Sequence, residues 1–121
     1  MSGPLPSRLV LLSELEKCAL GEKVRFLGCV DEYVVKSATL CLKHPYPGPS
    51  PPKIARVNID HVLESVKSCE IDVGSWLNVI GYVEARMSHG VGVQAVTVWS
   101  AGNVDLDMYQ RAVDVRKAAR Q

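Results

Sequence analysis

The side chains best equipped for chemistry are three histidines, His44, His61 and His89, and four cysteines, Cys18, Cys29, Cys41 and Cys69. The histidines fall in separate segments with no shared spacing. No G-x-S-x-G elbow, Walker loop or H-E-x-x-H pair accompanies them. No two cysteines form C-x-x-C, so the usual zinc spacing is missing. Cys29 and Cys41 lie in apolar runs and read as reduced core thiols. Gly90 and Gly92 flank one valine and belong to a hairpin turn. The adjacent acids Asp31 and Glu32 sit at a strand end and are most simply solvated. With no assembled site for catalysis or a metal, the chain is expected to be no enzyme and to need no cofactor.

What remains is binding chemistry. Single-stranded nucleic acid is held where cations track the backbone and aromatic rings stack on bases. Arg25, Tyr33, Lys36, Lys43, Arg56, Tyr82 and Arg86 are the candidates for DNA contact. Arg25 lies on the less apolar face of a long strand, and Arg56 interrupts an otherwise apolar one. Trp76 and Trp99 read as packing residues, with Trp99 placed to brace the C-terminal segment. Charge limits this reading: fourteen Lys and Arg against thirteen Asp and Glu leave +1. A domain that grips nucleic acid alone usually shows a strongly basic face. Any DNA role is therefore expected to be local or shared with a partner.

The third chemistry is protein docking. The C-terminal stretch VDLDMYQRAVDVRKAARQ reads as a helix over 104–119, capped by Asn103 or Asp105, with Arg116, Lys117 and Arg120 late, as the helix dipole prefers. Leu106, Tyr109, Ala112, Val113 and Arg116 form one stripe, and Met108, Ala112, Val115 and Ala119 widen it. So broad an apolar arc needs two surfaces to cover it. Leu106, Met108, Tyr109, Ala112, Val113, Val115 and Arg116 are the expected partner anchors, and aromatics, Met and Arg are the types enriched at interface cores. The alternative is that the helix plugs one end of its own domain.

The elements that must position these groups follow from the pattern. A chain of 121 residues with 47% apolar content suits one folded domain over 1–121. Residues 1–8 are a flexible lead-in, and residues 9–12 favour a short added strand. Ser13 with Glu16 marks a one- or two-turn helix stopped by Gly21. Strands are expected at 22–35, 37–43, 54–59, 75–86 and 93–100. In the first, Val24, Phe26, Gly28 and Val30 make the core face, and Lys23, Arg25, Leu27, Cys29 and Asp31 the other. Residues 44–52, HPYPGPSPP, hold five of the seven prolines and form a stiff exposed loop. Asp60 caps a short helix at 61–67, with Val62, Leu63 and Val66 on one face. Residues 88–92, SHGVG, make a turn.

Two strands carry an internal glycine, Gly28 in VRFLGCV and Gly81 in GSWLNVIGYV. A glycine inside a strand usually marks a bulge, a bend or a close backbone approach. The order of elements is three strands, a short helix, two strands and a terminal helix. That is the order of the OB-fold, a five-stranded Greek-key barrel, and the glycines would let its walls bend. The fold class is therefore all-β with a terminal α-helix. No run nears the roughly twenty apolar residues that cross a bilayer, and MSGPLPSR lacks the apolar core of a secretory signal. Reduced cysteines then point to cytoplasm or nucleus.

The stretches LPSRLVLLSELEKCALGEKVRFLGCVDEY, DVGSWLNVIGYVEA and VGVQAVTVW, followed by a helix beginning DLDMYQRAV, resemble the small third subunit of the CST telomere-capping complex in its filamentous-fungal form. The resemblance runs from Leu5 to Arg120. It implies a non-enzymatic nuclear subunit at chromosome ends, paired one-to-one with the larger OB-fold middle subunit and assembled with the large CST subunit. It also implies a part in binding single-stranded, G-rich telomeric DNA, in end protection and in C-strand fill-in. The smallest subunit of replication protein A has the same expected fold and the same helix-mediated assembly. A free-standing nucleic-acid-binding OB module is the other alternative, and the near-neutral charge argues against it.

Overall fold

In the computed structural model, residues 6–44, 53–66, 71–87, 90–102 and 106–120 are described, with backbone alone at 106, 107, 110, 117, 119 and 120. Six strands appear: β1 (Arg8–Leu9), β2 (Lys23–Val34), β3 (Thr39–Lys43), β4 (Ile54–Asn58), β5 (Trp76–Met87) and β6 (Gly90–Ser100), followed by helix α1 (Leu106–Arg120). The sheet order is β1-β2-β3-β4-β6-β5, and a β2–β5 pairing closes it. Strands β2 to β6 thus form the expected barrel, and β1 adds to β2 in parallel.

Closure is the work of β2. It pairs with β5 over Lys23–Cys29 and with β3 over Cys29–Val34, so it changes partner at Cys29. Gly28 sits beside that hand-over. A Cβ there would lie 2.9 Å from Leu42 Cβ and 3.0 Å from Leu12 Cδ1. Gly81 lies at a slip in the β5–β6 register, and a Cβ there would collide with the carbonyl oxygen of Gln94. Both glycines are where two walls come too close for a side chain.

The barrel interior is filled by Val24, Phe26, Val30, Leu40, Leu42, Val57, Leu77, Val79 and Val93, all 1% exposed or less. Leu12 and Leu15 of a 3₁₀ helix (Leu12–Lys17) join the same cluster. Val62, just after β4, joins it as well with Val66 packed against it, whereas no residue of α1 belongs to this cluster among the described side chains. Leu27 and Val113 are buried but stand apart from the interior cluster. Leu27 was expected on the outer face. It does point outward, and it is buried because α1 runs over that wall.

Several local expectations are corrected by side-chain hydrogen bonds. The segment after β1 starts at Leu11, whose N–H donates to the Glu14 carboxylate at 2.8 Å, so Ser13 and Glu16 are not its cap. After β4, Asn58 Oδ1 accepts the Asp60 N–H at 2.9 Å. This Asx turn takes the capping position from Asp60, and a 3₁₀ turn at Asp60–Val62 is followed by a single further turn in which the Ser65 and Val66 N–H groups both donate to the Val62 carbonyl. Residues 67–70 lie outside the described set. Strand β2 ends a residue early because Val35–Ser37 is a 3₁₀ turn, closed by Ala38 at φ 49°. Of the turn expected at 88–92, Gly90–Gly92 belong to β6, and residues 88 and 89 lie outside the described set. The caps proposed at 103 and 105, the Pro-rich loop from 45 to 52, and Cys69 lie outside the described residues.

Candidate partner and nucleic-acid interfaces

Helix α1 has two faces with different fates. Val113 is 1% exposed, and the half-buried Tyr109 precedes it by one turn. The Tyr109 ring lies 6.0 Å from His44, which in turn meets Trp76 edge-on at 5.2 Å. Its hydroxyl is buried, directed at the backbone of Leu27 without ideal hydrogen-bond geometry. Tyr109 and Val113 therefore make the buried side of α1, with Tyr109 set against Leu27 of β2. Ala112, Met108 and Val115 lie on another side, and the last two are 65% and 67% exposed. At i, i+4 and i+7 they form one stripe. Arg116 is exposed as well. The side chain of Leu106 is outside the described set.

Burial pushes the Tyr109 hydroxyl up to about 12, against a smaller opposing pull from Arg25. The unfolded chain gives up this proton near its ordinary value of about 10. Between the two values the unfolded state holds fewer protons than the folded one, so stability falls as pH rises. Docking of α1 is thus expected to be insensitive to this group up to about pH 10 and to weaken above it. Absorbance at 295 nm should show a late tyrosinate phase that Tyr109→Phe removes. A Tyr109 phase coinciding with the other tyrosines would contradict the buried placement.

The candidate DNA residues are dispersed. Arg56 on β4 is exposed and lines an open cleft of about 310 Å³ with Val34, Ser37, Thr39, Asn58 and Glu84. Lys36 sits exposed on the 3₁₀ turn of the β2–β3 loop, which also supplies Ser37 to that cleft. Lys43 is paired with Asp31 at 2.9 Å, and this hydrogen-bonded contact raises its pKa. Tyr33 packs partly against the core. Tyr82 is on the outer side of β5, with Lys23 Nζ 6.0 Å from its ring centre. Arg25 stacks its guanidinium 5.1 Å from the ring centre of Trp99, a cation–π contact beside α1. Trp99 and Trp76 thus both pack, as their positions suggested.

Arg86 is engaged elsewhere. Its Nη2 donates to the Cys18 carbonyl at 2.6 Å and its Nε to the Glu16 carbonyl at 3.2 Å. These bonds fasten the end of the 3₁₀ helix to β5. Arg86→Ala is expected to lower stability by about 1.5–3 kcal/mol, the range for hydrogen bonds to a charged group. Thermal denaturation checks this, and an unchanged melting temperature would show the clamp to be idle.

Of the residues lining the cleft only Arg56 was a candidate from the sequence, and Asn58, Glu84 and Met87 are among those it did not single out. Asn58 carried a signal in its position just before the helical turn. Glu84 and Met87 carried none, because alternation along β5 does not reveal a bulge. The cysteines Cys18, Cys29 and Cys41 are free, and burial raises the pKa of each thiol. Among the described residues no cluster of three His, Cys, Asp or Glu is placed to hold a metal ion.

Comparison with known proteins places this barrel. The protein Ten1 of Schizosaccharomyces pombe is 29% identical over 111 residues, covering 92% of this chain and 94% of its own length. The crystal structure of the S. pombe Stn1–Ten1 complex contains a chain that superposes with a TM-score of 0.71 at 28% identity, with 96% of each chain covered. Replication protein A of U. maydis bound to single-stranded DNA superposes with a TM-score of 0.64 over 93% of this chain and 91% of its own. At 20% identity that likeness shows the OB-fold alone. The family profile described as "Telomere capping, CST complex subunit" matches residues 1–114, and the chain belongs to this family, Ten1.

Proposed function

We propose that this telomere-capping subunit pairs one-to-one with the OB-fold middle subunit of CST, and that the outer stripe of α1 is its main contact. The observation that carries this reading is the exposure of Met108 and Val115, 65% and 67%, on a helix already anchored by Tyr109 and Val113. Large apolar side chains standing together in water mark an interaction surface. The S. pombe relative of the same family is found in a complex with Stn1, which supports an equivalent partner here. Within that assembly the subunit scaffolds its partner and acts at chromosome ends in the nucleus, together with the large CST subunit. It does so as a binding protein and not as an enzyme.

Its share in single-strand binding is modest. Arg56 and Lys36 supply positive charge at one cleft, while Arg25, Lys43 and Arg86 are occupied by Trp99, Asp31 and backbone carbonyls. Among the described residues no aromatic ring lines the cleft, and in this reading the stacking worth about 1–3 kcal/mol per base comes from the partner. The test is co-expression with the middle subunit followed by size-exclusion chromatography and DNA titration. A 1:1 complex whose DNA affinity drops modestly on Arg56→Ala is expected. Elution as separate monomers would overturn the pairing, and unchanged affinity would remove Arg56 from the DNA site.

A further inference from the structure

The chain's positive charge is concentrated on α1. That helix carries Arg111, Arg116, Lys117 and Arg120 against Asp107 and Asp114. The whole chain has a net charge of only +1, so everything outside α1 is net acidic. The helix dipole accounts for Lys117 and Arg120 in the last turn, where its pull is felt. Arg111 and Arg116 lie further back. Both are exposed, and among the described residues neither is in an ion pair.

Their places on the helix give them a use. Each residue turns an α-helix by about 100°. Met108, Ala112 and Val115 therefore fall within an arc of about 60°, with Arg111 and Arg116 each about 70° from its middle, on opposite sides. Arg116 stands toward the side that Tyr109 and Val113 turn to the barrel, and Arg111 stands away from it. The exposed stripe is thus an apolar seam with a guanidinium along each border. Such a seam restricts what can lie on it. A second copy of this chain brings arginine against arginine. In an antiparallel pair Arg111 meets Arg111 and Arg116 meets Arg116, and in a parallel pair Arg111 meets Arg116. Like charges at the borders of a helix seam select against that pairing. Nucleic acid would suit the arginines but would set phosphates against the apolar stripe between them.

We propose that α1 takes a segment of the middle subunit whose apolar seam is bordered on both sides by Asp or Glu, one reaching Arg111 and the other Arg116. The proposal rests on the pairing argued above and adds the charge that selects the partner. Met108 and Val115 supply the apolar contact. Ala112, between them, has no side chain long enough to hold the partner off. Charges at an interface rim steer the encounter and reject wrong partners, and they act mainly on the association rate. Two arginines at the seam do this without a strongly basic surface, in keeping with the near-neutral total.

The test is the association kinetics of the full chain with the middle subunit at about 0.05 and 0.5 M NaCl, a range over which the screening length falls below the width of a helix. Wild-type association is expected to slow by about tenfold or more across that range. Arg111→Gln/Arg116→Gln should begin about tenfold slower at low salt and lose most of the salt dependence, with dissociation changed by less than about threefold. Arg111→Lys/Arg116→Lys keeps both charges and should stay close to wild type. Sedimentation of the chain alone should show a monomer. Wild-type rates in the Gln variant, or salt-independent association of the wild type, would overturn the proposal. So would a homodimer that Met108→Glu/Val115→Glu dissolves, or a Gln variant that pairs at the wild-type rate and loses only the DNA affinity of the complex. Met108→Glu/Val115→Glu also separates the two layers of the argument. If it loses pairing and the Gln variant does not, the charged borders fail and the outer stripe stands as the contact. If neither variant changes pairing, both fail.

Discussion

Glutamate at Met108 and Val115 together is expected to abolish the proposed pairing with the middle subunit while this chain's own barrel stays folded. The two side chains are 65% and 67% exposed, so the isolated chain has little to lose by the change. Surface substitutions of this kind usually stay within about 0.5 kcal/mol. In a complex the same two positions would bury carboxylates in an apolar seam, where each hot-spot loss is about 2 kcal/mol or more. Two such losses weaken the pair by about a thousandfold, since every 1.4 kcal/mol is tenfold. Co-expression and size-exclusion chromatography read the loss, and thermal melting of the single subunit reads the control. Tyr109→Glu is the contrasting variant. It places a carboxylate on the buried side, beside His44 and Leu27, and is expected to free the helix from its own barrel as well. Co-purification of Met108→Glu/Val115→Glu at wild-type affinity would show that the outer stripe is not the contact.

That contrast also shows how far the sequence could be read. The strand order, the barrel and the terminal helix follow from alternation, the two strand glycines and the place of the short helical insertion. The broad apolar arc of α1 is equally visible. Its division between Tyr109 with Val113 and Met108 with Val115 is not, because all four lie in one arc and only the direction of docking separates them. Alternation puts Leu27 on an outer face that its mixed residues mark as partly covered, but it does not reveal what covers it, since the cover comes from a helix about eighty residues downstream. Among the cations, type and strand position made Arg25, Arg56 and Arg86 look alike. Tertiary partners distinguish them: Trp99 for Arg25, two carbonyls for Arg86 and open cleft for Arg56. Glu84 was invisible because a bulge shifts register without leaving a residue-type signal.

The two strand glycines are expected to respond to the same substitution very differently. At Gly28 an added methyl meets Leu42 Cβ at 2.9 Å and Leu12 Cδ1 at 3.0 Å. The Leu12 contact is a side-chain tip on a 3₁₀ helix, which can shift. Gly28→Ala should therefore cost about 1–3 kcal/mol, the ordinary penalty of overpacking. At Gly81 the obstacle is the Gln94 carbonyl oxygen, held in the β5–β6 ladder by the Tyr82–Gln94 and Gly81–Ala95 pairing. Backbone cannot yield there without opening the seam, and β6 also joins β5 to β4 on that side of the barrel. Gly81→Ala should exceed about 3 kcal/mol, and Gly81→Val should leave no cooperative transition, given that small domains hold only about 5–15 kcal/mol in total. Urea unfolding of the single subunit measures all three. The order matters more than the values: a Gly81→Ala midpoint at or above that of Gly28→Ala would mean that β5 and β6 can part at the bulge without losing the barrel. In that event the close approach at Gly81 would be incidental, and the hand-over of β2 beside Gly28 would carry barrel closure alone.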